Sequence, residues 1–243
     1  MKKTLALILA LTLCLSLAAC VRSPAVPTAE APASTAVPPK TDTEAPATEA
    51  PVTVAPTGAQ EASLTHGTVD GNTYSNETLN IRFTVPEGWS FFTEEQIAAQ
   101  NNLTVEMFEG TYAGEAVRQA GQLIDMVASK GDGSSANLVI QEAQALMTLY
   151  TDRQLFEIMQ DTIKSQFENS GVELQTYEVL DLPAMGEDHA ALHVVVNMSG
   201  FEVSQYQIWL RENPDYFGIL SITSMDPELE PQTLLEGLAR LHE

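Results

Sequence analysis

The chain has 243 residues, 44% of them hydrophobic and 18% charged, with 33 acidic against 11 basic side chains and a net charge of −22. Residues 61–243 hold 29 of the acids and 7 of the basic groups, so the whole imbalance lies there. Such a surface excludes nucleic acid as a direct partner, because phosphate binding needs clustered cations. A bare anionic membrane or polyanionic wall would repel it as well.

The first residues read as an export address. Met1, Lys2 and Lys3 are followed by an almost unbroken apolar run, Leu5 to Leu15, and then by Leu17-Ala18-Ala19-Cys20. This is the layout of a secretory signal, over residues 1–19. At about eleven residues the run is well short of the ~20 a membrane-spanning helix needs. Leu17-Ala18-Ala19-Cys20 resembles the lipobox of bacterial lipoproteins, in which the cysteine receives a diacylglyceryl group and becomes the new N-terminus. Each buried methylene contributes ~0.8 kcal/mol, so two or more acyl chains on Cys20 hold stably where one holds marginally. The expected place is the outer face of the cytoplasmic membrane, with the bilayer itself as partner of the anchor. Cys14 is lost with the signal, so the mature domain is expected to carry neither a free thiol nor a disulfide, which removes thiol catalysis and thiolate metal sites.

Residues 20–61 read as the lipidated cysteine and a disordered tether. Between 21 and 60, twenty-five of forty residues are Ala, Pro or Thr and none is aromatic. That composition cannot bury enough apolar surface to offset chain entropy. Drawn out as polyproline it reaches about 120 Å.

Residues 62–243 read as one globular domain, long enough to bury a sizeable core. Thr68 to Ser75 has strand character, Asn76-Glu77-Thr78 turns the chain, and Leu79, Ile81, Phe83 and Val85 alternate as a half-buried strand. Pro86-Glu87-Gly88 breaks it. Thr93-Glu94-Glu95-Gln96 has capping-box spacing, predicting a helix to about Gln100; Thr104 to Glu109 and Ala113 to Ala120 are expected as short helical turns. Gln122 to Ser129 and Asn137 to Glu142 read as a hairpin around Gly131 and Gly133. Thr151 to Gln154 repeats the capping box, and Leu155, Phe156, Met159, Ile163 and Phe167 form one apolar stripe ending at Gly171. Four strands follow: Val172 to Leu180, His189 to Met198, Glu202 to Arg211 and Tyr216 to Ser224. Their short connections imply antiparallel neighbours. A last helix is predicted over roughly Pro231 to Leu241. The expected fold is α+β, one mainly antiparallel sheet flanked by helices.

Tyr74-Ser75-Asn76, followed by Leu79 to Val85 and the corner Pro86-Glu87-Gly88-Trp89, resembles the opening of PsbP-like domains and their bacterial lipoprotein relatives. The resemblance spans about residues 68–240. It implies an α/β/α sandwich on an antiparallel sheet and an accessory or binding role, and it brings no active-site residues with it.

The chemistry is weighed on the remaining residues. His189 and His193 are four apart on a predicted strand, hence ~13 Å from each other at ~3.3 Å per residue, too far to share an ion. His66 and His242 are expected at the surface. Asp226, Glu228 and Glu230 read as acids favouring a helix start. There is no Gly-x-Ser-x-Gly elbow or Ser-x-x-Lys, and neither a metal nor a cofactor is expected. Trp89, Phe91 and Phe92, with Tyr206 and Trp209, either line a ligand-facing groove or pack in the core. Trp89, Phe92 and Trp209 are the groove's candidates, and packing is the favoured reading. Function is then a non-enzymatic binding or accessory module for an envelope protein or wall-associated ligand. The alternatives are an envelope hydrolase using a carboxylate pair and a small-ligand carrier for a transporter.

Radiolabelled palmitate should enter the wild-type product in cells and be lost in Cys20→Ala. Equal labelling of both would remove the anchor.

Overall fold

A computed structural model of the chain describes residues 64–243 apart from 109–112, 199, 227 and 243. The signal, Cys20 and the tether lie outside the described residues. No described helix is long and apolar enough to cross a membrane.

The architecture is α+β and mainly antiparallel, as expected, but it holds two sheets. The small one has the order β1-β2-β3-β11, from Thr68–Asp70, Thr73–Asn76, Ile81–Thr84 and Leu238–Arg240. The large one has the order β4-β5-β6-β10-β9-β8-β7. Its strands are β4 Ser90–Phe91, β5 Leu123–Ser129, β6 Ser135–Glu142, β7 Glu173–Ala184, β8 Glu187–Met198, β9 Phe201–Leu210 and β10 Tyr216–Ser224.

Five α-helices, α1 Glu94–Gln100, α2 Val105–Phe108, α3 Ala113–Ala120, α4 Asp152–Ser170 and α5 Gln232–Leu235, and one 3-10 turn, Ala145–Thr148, complete the described fold. Both capping boxes form. Thr93 and Thr151 each accept from the backbone N–H three residues on, while Gln96 and Gln154 reach back to the cap. Gly171 ends α4 in the left-handed region, at φ 73°. The α4 stripe Leu155, Phe156, Met159, Ile163 and Phe167 is buried to the last member, each side chain contributing roughly 1.5–3 kcal/mol. It covers one face of the large sheet, against Leu192, Val194, Val203, Trp209, Phe217 and Ile219. The small sheet and the short helices lie over the other face.

Further expectations are corrected. Thr68 to Ser75 is a hairpin rather than one strand, because Gly71 at φ 61° turns the chain between β1 and β2. The helix predicted over Pro231 to Leu241 stops at Leu235, and Leu238–Arg240 pairs with β3 instead. Gly237 is the cause. A Cβ there would stand 1.9 Å from the Thr84 carbonyl oxygen, and only a bare backbone lets Thr84 N–H donate to Gly237 O at 2.9 Å. Strand β7 also runs past Leu180 to Ala184, turning through Met185 and Gly186 at φ 52° and 85°. That pair of left-handed residues matches the twist of a tight hairpin. Pro183 is tolerated because β7 is an edge strand.

The two sheets meet at Asp125. Pairing of β5 with β6 slips between Ile124 and Met126, so Asp125 is the extra residue of a bulge. Bulges re-aim side chains, and this one turns a carboxylate into the interior, where its side chain is 0% exposed. It accepts from Gly67 N–H and Asn76 Nδ2, each at 2.9 Å, and from the Tyr74 hydroxyl; His66 Nδ1 lies 2.7 Å away. Burial, then the charge of Asp125, pushes the Tyr74 phenol well above its ordinary range, so it stays a donor. His66 is therefore not the surface residue expected: its ring packs on Phe108 at 3.9 Å.

Asp125→Ala would leave these donors buried without an acceptor. It should cost about 3 kcal/mol or more, read as a lowered urea midpoint; an unchanged midpoint would show that the node holds nothing.

Candidate functional site

The face of the large sheet opposite α4 changes character along its length. At one end Ala191 of β8 and Ile208 and Leu210 of β9 are buried beneath Leu234 and Leu235 of α5. Toward the other end the same face carries His193, Val195 and Asn197 of β8 and Ser204 and Tyr206 of β9, all half-buried, with Glu178 of β7 and Glu202 exposed. Two features of this side can meet a ligand.

The first is a cleft of about 470 Å³ between the β7–β8 turn and α5–β11. Ala184, Met185 and Leu238 give it apolar walls, while Arg82, Arg240 and Glu236 supply its charges. Arg240 is already engaged. Its guanidinium donates to Glu212 at 3.0 and 3.1 Å, to Glu187 at 2.5 Å and to Met185 O at 3.1 Å, and this holds its pKa above the ordinary arginine value. Arg82 is exposed and forms no ion pair among the described residues.

The second is a polar array across β7, β8 and β9. His193 is the register partner of both Glu178 and Tyr206. Its Nδ1 lies 2.6 Å from Glu178 Oε1 and its Nε2 3.0 Å from Ser204 Oγ. The imidazole stacks on Tyr206, with centroids 4.1 Å apart and planes 2° from parallel. Burial raises the Tyr206 phenol above its ordinary value, opposed by the neighbouring Ser204 hydroxyl and reinforced by Glu230 and Glu178.

The aromatic groove does not assemble. Trp209 is 2% exposed, packed between Phe156 at 4.8 Å and Phe217 at 5.7 Å. Tyr206 belongs to the opposite face. Gln205 and Gln207, which share Trp209's strand face, are themselves buried and donate to the Thr223 and Ser221 hydroxyls at 3.0 and 3.1 Å. Trp89 and Phe92 are half-buried at the edge strand β4, packed against the core. His189 and His193 share a face but not a site: His189 Nε2 lies 3.8 Å from Glu187 and His193 holds Glu178 and Ser204. Asp226 ties off its own turn, accepting from Glu228 N–H at 2.9 Å. Sequence reading missed Arg82, Ser204 and the Glu178–His193 pairing. Strand register is the signal that unites the last three, and a sequence does not print register.

No protein-family model matches the chain, and no curated protein does. Among solved structures, the fold is similar to cyanobacterial PsbP (CyanoP) from Synechocystis sp. PCC 6803, at 14% identity and a TM-score of 0.40, covering 76% of this chain and 99% of that one. It is also similar to a protein from Bacteroides thetaiotaomicron, at 11% identity and a TM-score of 0.36, over 72% of this chain; the match spans 50% of that chain's length. A third is LpqN, involved in cell envelope biogenesis of Mycobacterium tuberculosis, at 11% identity and a TM-score of 0.32, covering 65% of this chain and 82% of that one.

The two tryptophans provide a check on these placements. In Trp89→Phe the remaining Trp209 emission should be blue-shifted and resist acrylamide, while in Trp209→Phe the remaining Trp89 should quench more readily. Equal quenching would put Trp209 back at the surface.

Proposed function

We propose that this chain is a membrane-tethered extracytoplasmic module, anchored through lipid on Cys20, that acts by binding a protein or wall-associated molecule of the cell envelope. The lipobox and the tether composition support the location, and the acidic surface supports the exclusion of nucleic acid. The observation that carries the binding reading is the cleft beside the β7–β8 turn. It is apolar-walled and holds two of the seven basic side chains of residues 61–243, Arg82 and Arg240.

Each part of the cleft suits recognition. Apolar walls with a few placed polar groups are the usual make-up of a binding site. Arg240 is spent on Glu187, Glu212 and the Met185 carbonyl, which stiffens the β7–β8 turn against β11. Arg82 is left to meet an acidic group of the partner, and its planar fork suits a carboxylate. Glu236 is the one carboxylate of the lining, so the cleft offers no facing pair for glycosidase-type hydrolysis. A carrier for a transporter would need a way to enclose its cargo, and a single domain has no second lobe to close.

Crosslinking in intact cells should recover one envelope partner with the anchored wild-type chain. Recovery should fall about tenfold with Arg82→Glu, corresponding to ~1.4 kcal/mol. No partner, or equal recovery with the variant, would contradict the assignment to the cleft.

A further inference from the structure

The array on β7, β8 and β9 stands apart from the cleft, five residues or about 16 Å along β7 from Pro183 to Glu178, and it has an order of its own. A carboxylate only accepts hydrogen bonds. Glu178 at 2.6 Å therefore requires a proton on His193 Nδ1, and in the neutral imidazole Nε2 is then the acceptor, 3.0 Å from the Ser204 hydroxyl. Acid to Nδ1, bare Nε2 to hydroxyl, is the arrangement by which a general base activates a serine. The imidazole lies flat on Tyr206, which holds the ring in this orientation. Tyr206 brings a further part. Its phenol neighbours Ser204 on the same strand face, and a neutral phenol carries an O–H that can donate. The Ser204 and His193 side chains are half-buried on the open part of the face, within reach of a small substrate.

We propose that Ser204 is the nucleophile of an acyl-transfer site, with His193 as its general base, Tyr206 as oxyanion donor and Glu178 as the positioning residue. The inference goes beyond the binding reading and departs from a purely non-enzymatic module. Ser204 Oγ bonds to an ester carbonyl carbon while its proton passes to His193 Nε2, and the tetrahedral oxyanion accepts from Tyr206. The carbonyl re-forms as the bond to the alkoxy group breaks, and His193 returns the proton to that leaving group. Water then repeats the sequence, releasing the acid and restoring Ser204, with no other co-reactant. Glu178, Glu202 and Glu230 flank the site with negative charge, so the substrates are neutral or cationic esters and anionic ones are repelled.

No nucleophile motif flags this serine, because it sits in mid-strand in Val203-Ser204-Gln205 and not on a strand-to-helix elbow.

The full chain is incubated with a fluorophosphonate probe and, separately, with p-nitrophenyl acetate. The expected result is an adduct mapped to Ser204, and ester hydrolysis reduced about a hundredfold or more in Ser204→Ala and in His193→Gln. Tyr206→Phe should lower the rate while leaving KM nearly unchanged, which a packing role would not do. Ser204→Ala removes one exposed-side hydroxyl and keeps the imidazole, so its circular dichroism and melting should match wild type. Absence of an adduct on Ser204, or hydrolysis undiminished in Ser204→Ala, would overturn the proposal.

Discussion

The carboxylate of Asp125 is the joint on which the arrangement of this domain depends. A buried carboxylate without partners costs several kcal/mol, so its place in the interior requires the donors that surround it. Those donors come from separated parts of the chain: His66 and Gly67 before the first strand, and Tyr74 and Asn76 in the small sheet. Asn76 in turn accepts from Leu79 N–H at 2.9 Å and donates to Thr65 O at 3.3 Å. One bulged residue of β5 thus fastens the chain's entry into the domain and the small sheet to the large one. The small sheet needs that fastening, since strands of three and four residues are marginal without a surface to pack on.

Where the small sheet and α5 cover the large sheet, the face is sealed; beyond them it opens. The α4 face is different. Helix α4 lays a continuous apolar stripe on it, and Trp209, flanked by Phe156 and Phe217, fills its centre. Arg211 closes that core by lying over Trp209 at 5.5 Å while pairing with Asp152. One side of the sheet is therefore given to stability and the other is divided. Its covered end carries the cleft with Arg82, and its open end the hydroxyl–imidazole–carboxylate chain. The two sites differ in charge: a free guanidinium marks the first, and three glutamates surround the second.

Local signals in the sequence predicted the elements that local physics determines. Both capping boxes, the stripe from Leu155 to Phe167, Gly171 and the Gly131–Gly133 hairpin needed only neighbours within a turn or two of chain. Apart from the turn at Gly71, which lies inside the predicted strand itself, the failures come from contacts distant in the chain or from a turn without a standard signature. Nothing near Pro231 to Leu241 announces that Gly237 must clear the Thr84 carbonyl, and Met185-Gly186 lacks the Asn-Gly or Asp-Gly signature of a tight hairpin. His66 looked terminal because Asp125 is 59 positions away. The choice between groove and core for Trp209 stays open in the sequence in part because its face carries glutamines, and those glutamines bond to Thr223 and Ser221 across the sheet. The candidate sites were hidden for the same reason. Ser204, His193 and Glu178 meet only once β7, β8 and β9 are in register, and Arg82 reaches the cleft through a pairing of β3 with β11 that bridges most of the domain.

Native-state hydrogen exchange tests the central structural claim most directly. If Asp125 joins the two sheets into one cooperative unit, amides of Ile81–Thr84 and Leu238–Arg240 should exchange with the same opening free energy as those of Ser135–Glu142 and Tyr216–Ser224. Exchange of the small sheet by a separate opening several kcal/mol lower, with the large sheet still protected, would contradict it.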